Sequence, residues 1–375
     1  MNSKYIIALT SGLGNQMLQY ALFHYLVKIR HYSCILHLYK WYLNQHNGLE
    51  LTTIFKNIKI EDNPFFFNCY FRLYVFIEYV VAVLEKRFHM PFFKRLLSLF
   101  PYKAVIFPTW ASYSFLGEIE NLKDIYKFPD LDAKNAHIAE LMKQTNSVSV
   151  HVRRGDFQHV LQWRIILGDI CDKAYYTEAI SKAESLLTNP TFFVFSDDIE
   201  WVKSNLDIKN AIYIDWNKGK DSYKDMQLMS YCKCNICANS TFSLMGAWLN
   251  VNSNPIRIVP TKWSNQYNDS TFEKYIPDEG WIPIDNSTPT VSIIVSSPVS
   301  ERDIKNFLNQ TYTDFEVLMG QENSFVGSDQ RIKGNIFPSG WLIMRIDDCV
   351  GFRKRDYLES WVFDELKKDM LNKSL

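Results

Sequence analysis

The chain has 375 residues, 47% of them hydrophobic, with 41 basic and 41 acidic side chains and a formal net charge of +0. That length and apolar content can bury two full cores, so two domains are expected. The balanced charge argues against broad nucleic-acid binding, and seven cysteines are too sparse for a disulfide framework.

No signal-peptide pattern precedes the first strand, Lys4 to Leu9, so a cytoplasmic location is expected. The turn Thr10-Ser11-Gly12-Leu13-Gly14-Asn15-Gln16 follows, and the spacing of Leu18, Ala21, Leu22, Tyr25 and Ile29 predicts a helix from Met17 to about Ile29. Strand, glycine-rich turn and helix present backbone N–H groups and a helix N-terminus to an anion. Many such turns only connect a strand to a helix, and the third glycine of the dinucleotide fingerprint is missing. Asn15 and Gln16 add amide groups that a mere connector does not need.

Phe65 to Leu99 is rich in Phe, Tyr and Leu, but Arg72 and Glu78 interrupt its most apolar window, which argues against a transmembrane helix. Lys86, Arg87, Lys94 and Arg95 among aromatic residues suit either peripheral contact with an anionic membrane surface or a pair of amphipathic helices. The helical reading is favoured.

Ser147 to Val150 reads as a strand and runs into His151-Val152-Arg153-Arg154-Gly155-Asp156. Arginine grips phosphate oxygens with two parallel bonds, and ligands of open α/β sheets bind beyond the carboxyl ends of strands. The loop therefore reads as a diphosphate site, against the blander alternative of a solvated ion pair. Thr191 to Phe195 forms an apolar strand tipped by Ser196, Asp197 and Asp198, which suit ribose or base hydroxyls or simply start the next helix.

A short helix from Asp225 to Cys232 leads into a buried strand from Cys234 to Ala238. The loop Asn239-Ser240-Thr241-Phe242-Ser243 then opens a helix from Leu244 to Leu249. Its hydroxyls can cap that helix and also serve a phosphate. Cys232, Cys234 and Cys237 lack a following ligand pair at zinc spacing and read as buried reduced thiols.

These blocks together resemble the α-1,2-fucosyltransferases of glycosyltransferase family 11. The resemblance rests on Gly12 to Ala21, His151 to Asp156, Phe195 to Trp201 and Asp225 to Leu249, in the family's order, over roughly residues 4–285. Leu244-Met245 departs from it, standing where the family usually places bulky aromatics. The resemblance implies an α/β fold of the GT-B type, with two Rossmann-like domains facing a cleft. Residues 1–145 would form the acceptor-side domain and residues 146–286 the GDP-fucose-binding domain.

It further implies inverting transfer of L-fucose from GDP-fucose to the 2-hydroxyl of a terminal galactose in a glycan acceptor, with no metal or other cofactor. No Asp-x-Asp lies between the two sugar-nucleotide blocks, as suits a metal-free enzyme. Donor-binding residues carried over are Gly12, Gly14, Asn15, Gln16, His151, Arg153, Arg154, Asp156, Ser196, Asp197, Asp198, Asn239, Ser240, Thr241 and Phe242. Arg154 is expected as the main phosphate clamp. Asp156 is expected to orient an arginine or contact the donor, with the role of general base its weaker alternative and the base otherwise left unassigned. Acceptor choice is expected in loops such as Tyr39 to Thr53. A bacterial role in O-antigen or capsule biosynthesis, on glycans carried by a lipid at the inner face of the membrane, fits this reading. The alternatives are another linkage such as α-1,6, or a non-catalytic sugar-nucleotide-binding protein.

Beyond Pro289, Thr290 to Ser296, Asn309 to Leu318 and Gly340 to Asp348 resemble part of a family 2 glycosyltransferase of the GT-A type. The segment, residues 287–375, is too short for a complete catalytic domain of that kind. It is expected to be a small α/β appendage that packs on the body or mediates homo-oligomerisation, with Asp347 and Asp348 a remote candidate for a cation.

Overall fold

The structure, a computed structural model, describes residues 4–44, 46–60, 69–77, 80–81, 100–105, 113–120, 122–265, 280–285, 291–295, 300–308, 310, 315–319, 332–333 and 342–346. The basic residues between 86 and 95 and the acid pair Asp347–Asp348 lie outside the described residues. Among the described residues, no helix is long and apolar enough to cross a membrane.

The first strand, β1 (Lys4–Leu9), pairs in parallel with β2 (Ser33–Leu38) on one side and β3 (Lys103–Val105) on the other. Ile6, Ile7, Ala8 and Leu9 are fully buried, as expected of a central parallel strand covered on both faces. Helix α1 (Leu13–His24) follows directly, and a single π-helical turn, Tyr25–Ile29, extends it. The helix thus starts four residues before its apolar periodicity does. Its first turn holds Gly14, Asn15 and Gln16, residues that the sequence pattern assigns to a loop. A short helix, α2 (Leu51–Ile54), and α3 (Ala133–Gln144) lead towards the second half.

The second half is built on β4 (Ser147–Val152), whose six residues are all buried. After it come α4 (Gly155–His159), α5 (Leu161–Leu167), α6 (Lys173–Leu186), β5 (Thr191–Ser196), α7 (Ile199–Asn205) and β6 (Ala211–Ile214). The chain then returns through α8 (Tyr223–Met229), β7 (Cys234–Ile236), α9 (Thr241–Trp248), β8 (Ile256–Pro260) and β9 (Trp281–Ile284). The sheet order is β6-β5-β4-β7-β8-β9, parallel throughout. Renumbered from β4, that order is 3-2-1-4-5-6, the doubly wound arrangement with its switch point between β4 and β7. Phe192, Phe193 and Phe195 of β5 are at most 1% exposed, and each contributes about 1.5–3 kcal/mol of burial.

The two halves share a core. Leu13, Met17 and Leu18 of α1 pack in one cluster with Met226 of α8 and Leu244, Met245 and Trp248 of α9. Leu244 and Met245 are fully buried there, at the positions that depart from the family pattern. This is the α/β, GT-B type of plan, with two parallel sheets meeting across a cleft. Cys232, Cys234 and Cys237 are free and buried, and burial pushes the Cys237 thiol up to about 12.

In the tail, β10 (Val291–Val295), α10 (Glu301–Leu308), β11 (Phe315–Met319), β12 (Ile332–Lys333) and β13 (Leu342–Ile346) form a separate parallel sheet of order β12-β11-β10-β13. Buried Glu316 accepts a 2.6 Å hydrogen bond from Ser292 across that sheet.

Candidate active site

A cleft of about 1260 Å³ opens between the halves, at the carboxyl ends of β1, β4 and β5. It lies at the switch point, where an open parallel sheet leaves a crevice because neighbouring crossovers depart to opposite faces. From the first half it is lined by Ser11 to Asn15 and by His46, Asn47 and Glu50. From the second half it is lined by Arg153, Asp156, Asp197 and Thr241, among others.

The glycine turn meets the second half at Gly14. A methyl group on Gly14 would stand 2.6 Å from the Thr241 carbonyl carbon and 2.7 Å from the Phe242 nitrogen. Only glycine allows this approach, which sets the N-terminus of α1 against the N-terminus of α9. Gly12 caps α1 in extended conformation without a side-chain bond, whereas Ser240 caps α9 through the Phe242 N–H. Two helix N-termini, each with partial positive charge, therefore converge on the cleft floor. Buried Asn15 Oδ1 and His151 Nδ1 have no hydrogen-bond partner among the described residues. Burial holds the His151 imidazole down at about 4, against an opposing pull from Asp197 and reinforced by Arg153, so it is neutral at ordinary pH.

The two arginines part company at the end of β4. Arg153 faces the cleft, with Nη2 donating to Asp156 Oδ1 and Nη1 to Asp197 Oδ2, both at 2.7 Å. Those bonds use two of its five N–H donors and hold the fork in one orientation. Arg154 does not line the cleft. Its guanidinium lies 4.0 Å over the Trp201 ring, and its Nε donates to Asp198 Oδ2 at 3.2 Å. The expectation that Arg154 is the main phosphate clamp is not supported by this placement, because stacking and ion pairing turn the side chain away. Asp156 holds Arg153 rather than Arg154. Gly155 is needed between them, since a methyl there would come within 2.7 Å of Asp197 Oδ2.

Several expected residues hold the walls in place. Asp197 Oδ1 accepts the Arg154 backbone N–H, while Asp198 caps α7 by accepting the Trp201 N–H and in turn donates its own N–H to Ser196 Oγ. Asn239 Nδ2 ties β7 to the Leu167 and Trp263 carbonyls. The Phe242 ring packs 5.6 Å from that of His151. Gln16 is fully buried and does not line the cleft. Its Nε2 donates to the Ser11 and Gly48 carbonyls, and its Oε1 accepts from the Glu50 and Leu51 N–H groups. It thereby fastens the 46–50 loop to the glycine turn.

The sequence assigns no individual site role to four further cleft residues. Asp225 of α8 is half-buried beside Asn217, which donates 2.8 Å to its Oδ1, and desolvation raises its carboxyl to about 7. Asn217 is itself locked to Asn135 by a reciprocal amide pair. His46, Asn47 and Glu50 come from a loop with no sequence signature. Asn47 Nδ2 crosses to the second half and donates 3.0 Å to the Gly219 carbonyl. Among the described residues, no cluster of three or more His, Cys, Asp or Glu is arranged to hold a metal ion.

Residues 1–285 match the family model described as Glycosyl transferase family 11. An α-1,2-colitosyltransferase of Escherichia coli is 32% identical over 298 residues, covering 75% of this chain and 98% of that one. The O-antigen biosynthesis glycosyltransferase WbnK of Escherichia coli is 34% identical over 36% of this chain and 46% of its own. The human galactoside α-(1,2)-fucosyltransferase 1 is 32% identical over 27% of this chain and 28% of its own. The matched span contains the whole cleft, from the glycine turn to Trp263, and one relative is aligned over almost its full length. The chain belongs to glycosyltransferase family 11.

Proposed function

We propose that the protein transfers L-fucose from GDP-fucose to the 2-hydroxyl of a terminal β-galactoside, with inversion and without a metal ion. The observation that carries this reading is Arg153, held by two carboxylates at the end of the switch-point strand and facing two convergent helix N-termini. When the anomeric bond breaks, negative charge develops on the departing diphosphate. Arg153 and the N–H groups of the two helix ends are the preorganised donors that meet it. Arg154 acts on this site indirectly, by keeping Asp198 and α7 against the loop.

Asp225 suits the base of the nucleotide. Guanine presents an N1–H and a 2-amino N–H side by side, and a buried carboxylate accepts both. Binding those donors stabilises the ionised form of a group that burial otherwise keeps half protonated near neutral pH. The acceptor enters from the side of the 46–50 loop, opposite the diphosphate, as in-line displacement requires.

A second reading is transfer of colitose, favoured by the relative aligned over 98% of its length. Colitose is fucose without the 3-hydroxyl, so both sugars present the same anomeric centre to the cleft. The test offers GDP-fucose and GDP-colitose together to a β-galactoside in excess EDTA, with products resolved by mass. A predominant fucosyl product supports the proposal, a predominant colitosyl product replaces the donor, and inhibition by EDTA contradicts metal independence.

A further inference from the structure

We propose that His46 is the general base that takes the proton from the attacking acceptor hydroxyl; this rests on the transfer reaction proposed above. In the inverting step the acceptor oxygen forms a bond to the anomeric carbon as the bond from that carbon to the β-phosphate oxygen breaks. The electron pair leaves with GDP, and the hydroxyl proton passes to the imidazole and then to solvent. The base must be in the cleft, on the acceptor side, unprotonated and not committed to another partner.

Most of the carboxylates lining the cleft are engaged, Glu200 with Lys203 among them, and Asp215, just after β6, belongs to the second half. Asp156 and Asp197 are held at 2.7 Å by Arg153, which weakens them as bases. Asp198 is tied to Arg154 and to the start of α7. Asp225 accepts from Asn217 in the second half. Glu50 is 6% exposed and takes hydrogen bonds from Asn47 Nδ2 and the Leu13 N–H. His151 is in the cleft, but its imidazole is too weakly basic to hold a proton at working pH.

His46 differs on every count. It lies in the first half, and its side chain is exposed to the cleft. The imidazole sits over the glycine turn, where a methyl on Gly12 would be 3.7 Å from its Nδ1. Only its backbone N–H, donated to the Leu43 carbonyl, is hydrogen-bonded among the described residues. The charged groups that it feels are Asp156, which favours its protonation, and Arg153, which opposes it. Partial desolvation against the cleft wall outweighs both and lowers its pKa, leaving a neutral ring at pH 7. Just after it, Gln16 holds the Gly48 carbonyl and Asn47 reaches the Gly219 carbonyl, so the ring is presented from an anchored loop.

The experiment compares wild type with His46→Ala and His46→Gln, measuring transfer, binding of GDP, and rescue by added imidazole. The expected result is a fall in kcat of on the order of 10²- to 10⁴-fold, with GDP affinity changed less than twofold. Imidazole should restore part of the activity of His46→Ala, which loss of a purely structural side chain would not allow. The acidic limb of the wild-type kcat/KM profile should also vanish in both variants. Retention of transfer within threefold in His46→Ala would overturn the assignment while leaving the proposed reaction intact. Absence of transfer from both GDP-fucose and GDP-colitose by wild type would overturn the reaction and this role with it.

Discussion

Gly14 touches Thr241 across the join between the two halves, so closely that a single added methyl would lie 2.6 Å from the Thr241 carbonyl carbon. The obstacle is backbone on both sides, and backbone at the start of two helices has little freedom to retreat. Gly14→Ala should therefore destabilise the protein by about 1–3 kcal/mol, as overpacking does. It should also push α1 away from α9 and disturb the convergence of their N-termini. Thermal unfolding and GDP affinity, measured together, should both fall; an unchanged Tm would contradict the closeness of this contact.

The two adjacent arginines should behave differently. Arg153→Ala should reduce transfer by on the order of 10²- to 10³-fold, and Arg153→Lys should recover little, since a point charge does not reproduce the planar fork of donors. Arg154→Ala should cost about 1–2 kcal/mol of stability through loss of the stacked contact with Trp201 and reduce transfer less than tenfold. Steady-state kinetics on both variants decides which arginine serves the leaving group. A larger loss in Arg154→Ala would reverse the assignment.

Asp225 should leave a signature in the pH dependence of stability. An ordinary aspartate titrates near 3.8, whereas burial raises Asp225 to about 7. Between those values the folded protein retains a proton that the unfolded chain has released. The contribution of the buried neutral carboxyl is therefore complete below about pH 4 and is lost as the pH rises through 7. Asp225→Asn should flatten this decline and raise the Tm at pH 8, while weakening GDP binding. Parallel Tm profiles for variant and wild type would refute the raised pKa.

Gln16→Leu should be costly although Gln16 does not line the cleft. It leaves the Glu50 and Leu51 N–H groups and the Ser11 and Gly48 carbonyls without their partner. Unpaired buried groups cost about 1–3 kcal/mol each, so a loss of at least about 2 kcal/mol is expected by chemical denaturation. The freed 46–50 loop should also raise the KM for the acceptor more than that for the donor.

Much of this fold can be read from periodicity alone. β1, β4 and β5 are short apolar runs with turn or loop residues at their ends, so their positions follow from composition. The start of α1 is harder to see because Gly14, Asn15 and Gln16 carry no apolar signal. They are helical because the turn must bring an N-terminus to the cleft and because tertiary bonds hold Gln16. The cleft-facing member of the Arg153–Arg154 pair is also hidden, since it depends on the backbone turn at Arg154, with φ −131° and ψ −48°. His46 and Glu50 share a loop without a motif, Asp225 stands far along the chain at the start of the Asp225–Leu249 block, and they meet only when the halves close on each other.

The most direct test of the central claim is the linkage and anomeric configuration of the product formed from GDP-fucose and a β-galactoside, determined by NMR with EDTA present. The account predicts an α-fucosyl residue on the 2-oxygen of galactose. A product joined at another oxygen, one of β configuration, or release of free fucose alone would contradict it.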